Sequence, residues 1–442
     1  MSSDLDRQTT RRTDGSAAVP HFGPDREPLE IVDGDGVWVT DADGNEHLDF
    51  VSQLYCVNCG HGNEHIIGKM TEQLGRVQYV SSAKHSEPRT RLAERLAEVA
   101  PGELSDVYFA VSGSEANESA VQFARAASGA SKVLTRYRSY HGVTYGAGSL
   151  TGDPEPRNAV ERGAATTSTA RFLPPIPEAF DADGPEELAE EAADHLEFVI
   201  RNEGPESIAA LLTEPIAGTC GAYTGPADYF ERVRALCDEY DIALIFDEVI
   251  TGFGRCGEWF GAQTEGVEPD MITFAKGVTS AYAPLAGVLM DAEMREHLDD
   301  DLDVGQTYGG HPVACAAGLG ALDEYEDGLI ENVRELEPVM ADALEGMAAR
   351  HDVISEIRGR GFHWAVEFAD PETGEPFHDP RVDEGHNPVE DVLYHARDER
   401  LIAGPGRPPF QAILSPPLCT TADDIEEAIT RMEAAIEATS FE

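Results

Sequence analysis

A chain of 442 residues is longer than a single hydrophobic core usually grows, so two domains or one elaborated α/β domain are expected, and 41% hydrophobic residues suffice to bury a core. The 83 acidic and 32 basic residues give a formal net charge of -51, which argues against nucleic acid or an anionic membrane as a partner. The start of the chain lacks the apolar stretch of a secretory signal, no run approaches the ~18 apolar residues of a membrane span, and the seven cysteines form an odd, scattered set, so a soluble cytoplasmic protein with reduced thiols is expected.

Only four lysines occur, Lys69, Lys84, Lys132 and Lys276, and arginine supplies nearly all the positive charge. That acidic surface suits a cytoplasm with molar salt, where a Debye length of ~3 Å screens carboxylate repulsion. In chain order, residues 1–20 are polar without apolar periodicity and read as a flexible tail. Residues 36–44 alternate apolar positions and end on an Asp-Gly turn, predicting a hairpin. Leu92, Leu96 and Val99 set a helical spacing over 89–100, stopped by Pro101-Gly102. Short apolar strands are expected at 107–111, 132–135, 209–213, 243–246 and 271–274, interleaved with helices. Continuous apolar runs of this kind suit strands covered on both faces, hence a largely parallel sheet. The segment 150–177, rich in Gly, Pro, Thr and Arg, gives no assignment. Beyond residue 353 the order changes to a strand at 364–368, an acidic loop through 390, a helix over 389–399 and a last helix from Asp423. This predicts a large domain over 76–325 and a smaller α+β domain made from 21–75 and 326–442.

Three features carry chemistry. Ser112-Gly113-Ser114-Glu115-Ala116-Asn117 follows a strand and opens a helix, so backbone N–H groups, hydroxyls and a helix N-terminus form a candidate phosphate cradle. The strand before Asp247 and Glu248 delivers this acidic pair at its carboxyl end, where open α/β sheets place ligands. Either residue suits a magnesium ligand or the partner of a pyridine nitrogen. Gly62 to Lys69 has the wrong spacing for a nucleotide-binding P-loop, and Met70 stands where the hydroxyl belongs. Cys56-Val57-Asn58-Cys59 has C-x-x-C spacing but no second half-site, so no metal is expected. Lys276, between Ala275 and Gly277 after the strand 271–274, brings an amine to the same sheet edge, where partial desolvation favours Schiff-base chemistry. A phosphate cradle, a carboxylate and a strand-end lysine are the fixtures pyridoxal phosphate needs.

The chain resembles the class III aminotransferases from about residue 28 to 440. The likeness is carried by Gly60-His61-Gly62, Ser112 to Asn117, Tyr140-His141-Gly142, Glu214-Pro215, Asp247-Glu248-Val249, Gly252-Phe253-Gly254-Arg255-Cys256-Gly257, Ala275-Lys276-Gly277, Thr307-Tyr308-Gly309-Gly310-His311-Pro312 and Pro416-Pro417-Leu418. The resemblance implies the α/β fold of fold-type-I pyridoxal-phosphate enzymes. It implies that Lys276 bonds the cofactor aldehyde and carries protons, and that Asp247 pairs with the pyridine nitrogen. Ser112, Gly113 and Ser114 would hold the phosphate, Tyr140 and Val249 would flank the ring, and His141 and Glu214 would line the site. Thr307 would reach the phosphate of a neighbouring subunit, which makes the active unit a homodimer or a dimer of dimers.

Within the class, the segment from Ala275 to Leu285 looks more like the branch that moves a terminal amino group to pyruvate, with Tyr55 lining its pocket. Relatives carry a carboxylate-reading arginine about ten residues before Pro-Pro-Leu. Here Arg407, in a proline-stiffened loop, precedes Pro416 by nine. The expected substrates are an ω-amino acid or primary amine and a keto acid, pyruvate foremost. An aminomutase, racemase or decarboxylase would share every cofactor residue, and a cofactor-free assembly protein is the alternative of another class.

Overall fold

The computed structural model describes residues 28–162, 168–298, 305–379 and 381–441; the polar segment 1–20 lies outside them. Three short strands come first, β1 (Ile31–Asp35), β2 (Trp38–Asp41) and β3 (Glu46–Asp49). The hairpin expected at 36–44 is the β2–β3 pair. Asp41 Oδ1 closes its turn by accepting the amides of Asp43 and Asn45 at 3.0 and 2.8 Å.

The central sheet has seven strands, β4 (Asp106–Ala110), β5 (Lys132–Arg136), β6 (Thr169–Phe172), β7 (Ile208–Thr213), β8 (Ala243–Asp247), β9 (Met271–Phe274) and β10 (Ala286–Met290), in the order β4-β10-β9-β8-β7-β5-β6. β10 runs antiparallel to both neighbours, and every other adjacent pair is parallel. Every residue of β7 and β9 is buried, which explains why these strands read as nearly continuous apolar runs, interrupted only by Thr213 and Thr273. The unassigned segment 150–177 contains a helix, Pro154–Glu161, N-capped by Asp153, and the edge strand β6.

The helix expected over 118–127 after the phosphate-cradle motif starts earlier, within the motif itself, and spans Gly113–Ser128. Ala116, Ala120, Phe123 and Ala124 are buried against Val133, Ala210, Ile245 and Val288 of the sheet, the small side chains letting helix and strands approach closely. Because β4, β8 and β9 point the same way, the chain leaves all three at one edge, and Ser112, Asp247 and Lys276 stand there together.

The remaining strands are β11 (Ile354–Arg360), β12 (His363–Phe368), β13 (Leu401–Ile402), β14 (Gly404–Pro405) and β15 (Gln411–Leu414). β11, β12, β15 and β14 form one sheet, while β13 joins β1–β3 by pairing parallel with β3. The N-terminal hairpin is thus completed by a strand from late in the chain.

Candidate active site

Asp247 ends β8 with its side chain buried and three donors around it. Oδ2 accepts from Asn117 Nδ2 and His141 Nδ1, both at 2.8 Å, and Oδ1 accepts from the Val249 amide at 3.1 Å. Oδ1 therefore keeps capacity for one further donor, which fits a ring N–H. Asn117 is fixed in turn: its amide also donates to the His141 carbonyl at 2.9 Å, and its Oδ1 accepts from Thr273 Oγ1 at 2.7 Å. Asn117, which the sequence offered only as the last residue of the Ser112 to Asn117 motif, lies buried on the helix between Ala116 and Ala120.

Glu248 has a different task. Successive side chains of a strand face opposite ways, and Glu248 accepts from the Gly261 and Ala262 amides at 2.7 Å each, and from the Thr251 hydroxyl. Burial pushes its pKa up to about 7 against those hydrogen bonds. Of the acidic pair, Asp247 alone joins the cluster around Asn117 and His141.

Lys276 is half-buried, with backbone φ +42° and Nζ 5.3 Å from the ring centroid of Tyr55. Burial holds its ammonium below the ordinary lysine range, while Cys56, Asp247 and Glu214 pull it back up and Arg255 does not. Tyr55 is buried at φ +60°, edge-on to His363 with ring centroids 6.0 Å apart. Two non-glycine residues at positive φ beside each other mark backbone held in place by its surroundings.

At the start of the helix Gly113–Ser128, Ser112 Oγ caps the Glu115 amide at 3.3 Å, and helix geometry leaves the Gly113 and Ser114 amides without intrahelical acceptors. A Cβ at Gly113 would lie 3.0 Å from Val249 Cγ2, so glycine keeps open the space between the helix end and Val249. Gly142 sits at φ +132°, where a Cβ would fall 2.2 Å from Ser114 Oγ. Tyr140 is half-buried, and burial raises its phenol.

Glu214 is buried, its Oε2 3.2 Å from Arg136 and its Oε1 accepting the Gly218 amide at 3.0 Å. Burial raises its pKa and Arg136 opposes the rise. Arg136, which no sequence argument selected, ends β5 with its guanidinium 4.7 Å over the Tyr223 ring. Arg255, within a motif of the resemblance, is fully buried. It donates to the Phe362 carbonyl at 3.1 Å, to Asn58 Oδ1 at 2.8 Å, to Ser52 Oγ at 3.2 Å and to the Pro416 carbonyl. A Cβ at Gly277, next to Lys276, would meet Asn58 Nδ2 at 2.7 Å, so Arg255 braces the amide on which the lysine's neighbour packs. His363 donates through Nε2 to the Ala217 and Gly218 carbonyls at 3.1 Å each and accepts from Ser415 Oγ at 2.5 Å; burial lowers its pKa to about 4.

Arg407 reaches this region with its guanidinium 5.6 Å over the Tyr140 ring, ion-paired to Asp153 at 2.8 Å. Thr307 is exposed, and its carbonyl accepts the Tyr79 hydroxyl at 3.0 Å. Cys56 and Cys59 are free thiols, and no three His, Cys, Asp or Glu side chains converge on a metal position among the described residues. Nor is any helix among them long and apolar enough to cross a membrane.

A lysine, an anchored carboxylate and a helix N-terminus thus stand at one edge of a mainly parallel sheet, and the fold is that of the fold-type-I pyridoxal-phosphate enzymes. The chain belongs to the class III aminotransferases, whose family model, aminotransferase class-III, matches residues 22–436. It is 33% identical to a diaminobutyrate–2-oxoglutarate transaminase of Halomonas elongata, over 98% of this chain and 95% of that one. A taurine–pyruvate aminotransferase of Bilophila wadsworthia is 32% identical, with 92% of each chain covered. The structure matches that of a taurine:2-oxoglutarate aminotransferase from Bifidobacterium kashiwanohense, in complex with pyridoxal phosphate and glutamate, with a TM-score of 0.89 and 34% identity over 96% of this chain and 94% of that one. This is therefore a pyridoxal-phosphate-dependent transaminase.

Proposed function

We propose that the enzyme moves an amino group from an ω-amino acid or primary amine to pyruvate, at a site built around Lys276 and Asp247. The observation that carries the reading is a lysine with a burial-depressed pKa at the same sheet edge as a carboxylate held by three donors. When bound, pyridoxal phosphate supplies an aldehyde for amines and a ring that takes up electrons. Asp247 Oδ1 would accept the ring N–H, with Asn117 and His141 fixing the carboxylate's angle. The Gly113 and Ser114 amides and the Ser112 hydroxyl would hold the phosphate at the positive end of the helix. Tyr140 and Val249 would bound the ring on its two faces. Lys276 Nζ, neutral more often than a solvated lysine, would take up and return the proton that transamination moves.

For the acceptor, Arg407 offers one guanidinium to one carboxylate. Asp153 and Glu155 beside it disfavour a second carboxylate such as that of 2-oxoglutarate, which supports pyruvate. Glu214, neutralised by Arg136, would line the substrate side, and Tyr55 would form the pocket floor under Lys276. Thr307, exposed beside the exposed Tyr308, suits a role at the phosphate of a partner subunit in a cytoplasmic homodimer. Residues 21–75 and 326–442 would form the smaller domain against 76–325. A half-reaction screen tests the substrates: the purified enzyme is converted with ω-amino acids, diamines, taurine and simple amines in concentrated KCl, then offered each keto acid. Pyruvate is expected to restore the starting absorbance fastest; restoration by 2-oxoglutarate alone would overturn the assignment.

A further inference from the structure

Arg89 lies outside every motif that carries the family likeness. It is the third residue of the helix Glu87–Val99, and in a chain with 83 acidic residues its guanidinium is spent on backbone carbonyls. Nε donates to the Gly310 carbonyl at 2.9 Å, Nη2 to that of Val80 at 2.9 Å and Nη1 to that of Lys84 at 2.8 Å. Residues 77–86 form neither helix nor strand, so their carbonyls draw no ladder partners, and the planar fork of donors fixes where the segment runs. Thr307 hangs from the same fork. It opens the turn 307–310, whose last residue, Gly310 at φ +63°, brings its carbonyl to Arg89. A Cβ there would fall 2.5 Å from Arg89 Nε, so glycine admits the contact. From the other side Tyr79, within the braced segment, donates its hydroxyl to the Thr307 carbonyl at 3.0 Å and meets Tyr308 edge-on with ring centroids 6.3 Å apart. The Thr307 backbone is thereby tied at both ends of its turn while the residue itself stays exposed. Burial, with the Arg89 charge behind it, holds His311 below the ordinary histidine range, so that charge is felt along the turn.

We propose that Arg89 is a positioning residue for the cofactor phosphate: by tying residues 80–84 to the turn 307–310, it sets the place from which Thr307 meets the phosphate bound by the partner subunit. The proposal rests on the reading in which Thr307 makes that contact. Arg89 itself touches no cofactor in this scheme. A hydroxyl's hydrogen bond weakens steeply as its distance and angle drift, so a turn released from its brace loses much of the bond even with Thr307 present. Lysine would keep the charge at position 89 but not the fork, since one compact ammonium cannot span the carbonyls of Val80, Lys84 and Gly310 together. Position 89 therefore calls for the shape of arginine as well as its charge.

The full chain, stripped of cofactor and checked as a dimer by sedimentation, is titrated with pyridoxal phosphate and with pyridoxal, following the quenching of protein fluorescence. The ratio of the two dissociation constants isolates the phosphate contacts, because pyridoxal shares every other contact. Thr307→Ala sets the ceiling, weakening pyridoxal phosphate about ten- to a hundredfold. Arg89→Gln, which misplaces the hydroxyl without removing it, is expected to weaken pyridoxal phosphate about three- to thirtyfold and to leave pyridoxal within about twofold. Arg89→Lys is expected to follow Arg89→Gln. Wild-type affinity for pyridoxal phosphate in Arg89→Gln, or full rescue in Arg89→Lys, overturns the positioning role while Thr307→Ala still shows the phosphate contact. Equal losses for both ligands overturn it too, since a merely structural arginine would act on both alike. If the Arg89 variants do not assemble, Tyr79→Phe decides: it cuts only the tie to the Thr307 carbonyl and should cost pyridoxal phosphate about two- to fivefold with pyridoxal unchanged. No selective loss there overturns the brace. An unchanged ratio in dimeric Thr307→Ala removes the Thr307 contact itself, and the positioning role with it.

Discussion

Asn117→Ala is the most informative single change, because one side chain holds three neighbours. The substitution removes the 2.8 Å bond to Asp247 and strands the His141 carbonyl and the Thr273 hydroxyl, all in buried surroundings. A hydrogen bond to a charged group contributes about 1.5–3 kcal/mol, and each stranded neutral group costs about 1 kcal/mol, so roughly 3–5 kcal/mol of stability is lost. With an unfolding entropy of about 2.1 cal/mol/K per residue, a chain of 442 residues should show a Tm about 3–6 °C lower. Calorimetry of the cofactor-free protein measures that shift, and a pyridoxal-phosphate titration followed by fluorescence measures the second effect. Asp247 Oδ2 then depends on His141 alone, and loss of the oriented carboxylate should weaken cofactor binding about ten- to a hundredfold. Asn117→Asp separates charge from shape. Its new carboxyl and Asp247 must share a proton, so the folded state retains a proton that the unfolded chain releases. Stability of that variant should fall as pH rises above the ordinary aspartate range. An Asn117→Ala protein with unchanged Tm and unchanged cofactor affinity would refute the anchoring role.

Lys276→Ala should lose both the absorbance of bound cofactor and turnover while staying folded, whereas Asp247→Asn should bind cofactor more weakly and be nearly inert even when saturated with it; near-normal turnover in either removes its assignment. Folded fraction and activity should rise together from dilute buffer to molar KCl, as screening relieves a net charge of -51, and full stability in low salt would count against adaptation to salt. Mixing Lys276→Ala with a Thr307→Ala variant should regenerate some working sites if subunits share residues, and no recovery after confirmed exchange would place each site within one chain. His363, lowered from the ordinary 6.5 to about 4, is neutral when folded, so as pH falls from 6.5 to 4 the unfolded chain takes the proton first and up to about 3 kcal/mol of stability is lost. Glu248 and Glu265, both raised to about 7, act oppositely over much of that range by binding protons first in the folded state. The test is therefore the acid-limb difference between wild type and His363→Gln, which should show the smaller acid loss.

Much of the fold was legible because its central strands are covered on both faces, so β7, β8 and β9 read as short, mainly apolar runs. β6 escaped notice because it is an edge strand with three half-buried residues of four, so Thr169 and Arg171 carry no such run. β10 is apolar throughout and buried; nothing in its composition reveals that it enters the sheet reversed between β4 and β9. The site was legible where local sequence fixes position, as for Lys276 after a strand and Ser112 before a helix. It was not legible where partners are distant in sequence. Strand position alone leaves Asp247 and Glu248 equivalent and only the resemblance chose Asp247; the physical difference lies in the Gly261 and Ala262 amides around one, and Asn117 and His141 around the other.

The distribution of cations follows from the same physics. Arg136 and Arg255 are fully buried beside the site, where a lysine amine would be pushed toward neutrality and would leave Glu214 or the Asn58 brace without a charged partner. Burial lowers Arg255 only to about 10, so it stays ionised at neutral pH. At position 276 the same desolvation acts on an amine and lowers its pKa, which suits the proton transfer proposed for Lys276. Arginine therefore occupies the buried positions where charge must persist, and lysine the position where the proposed chemistry gives it up.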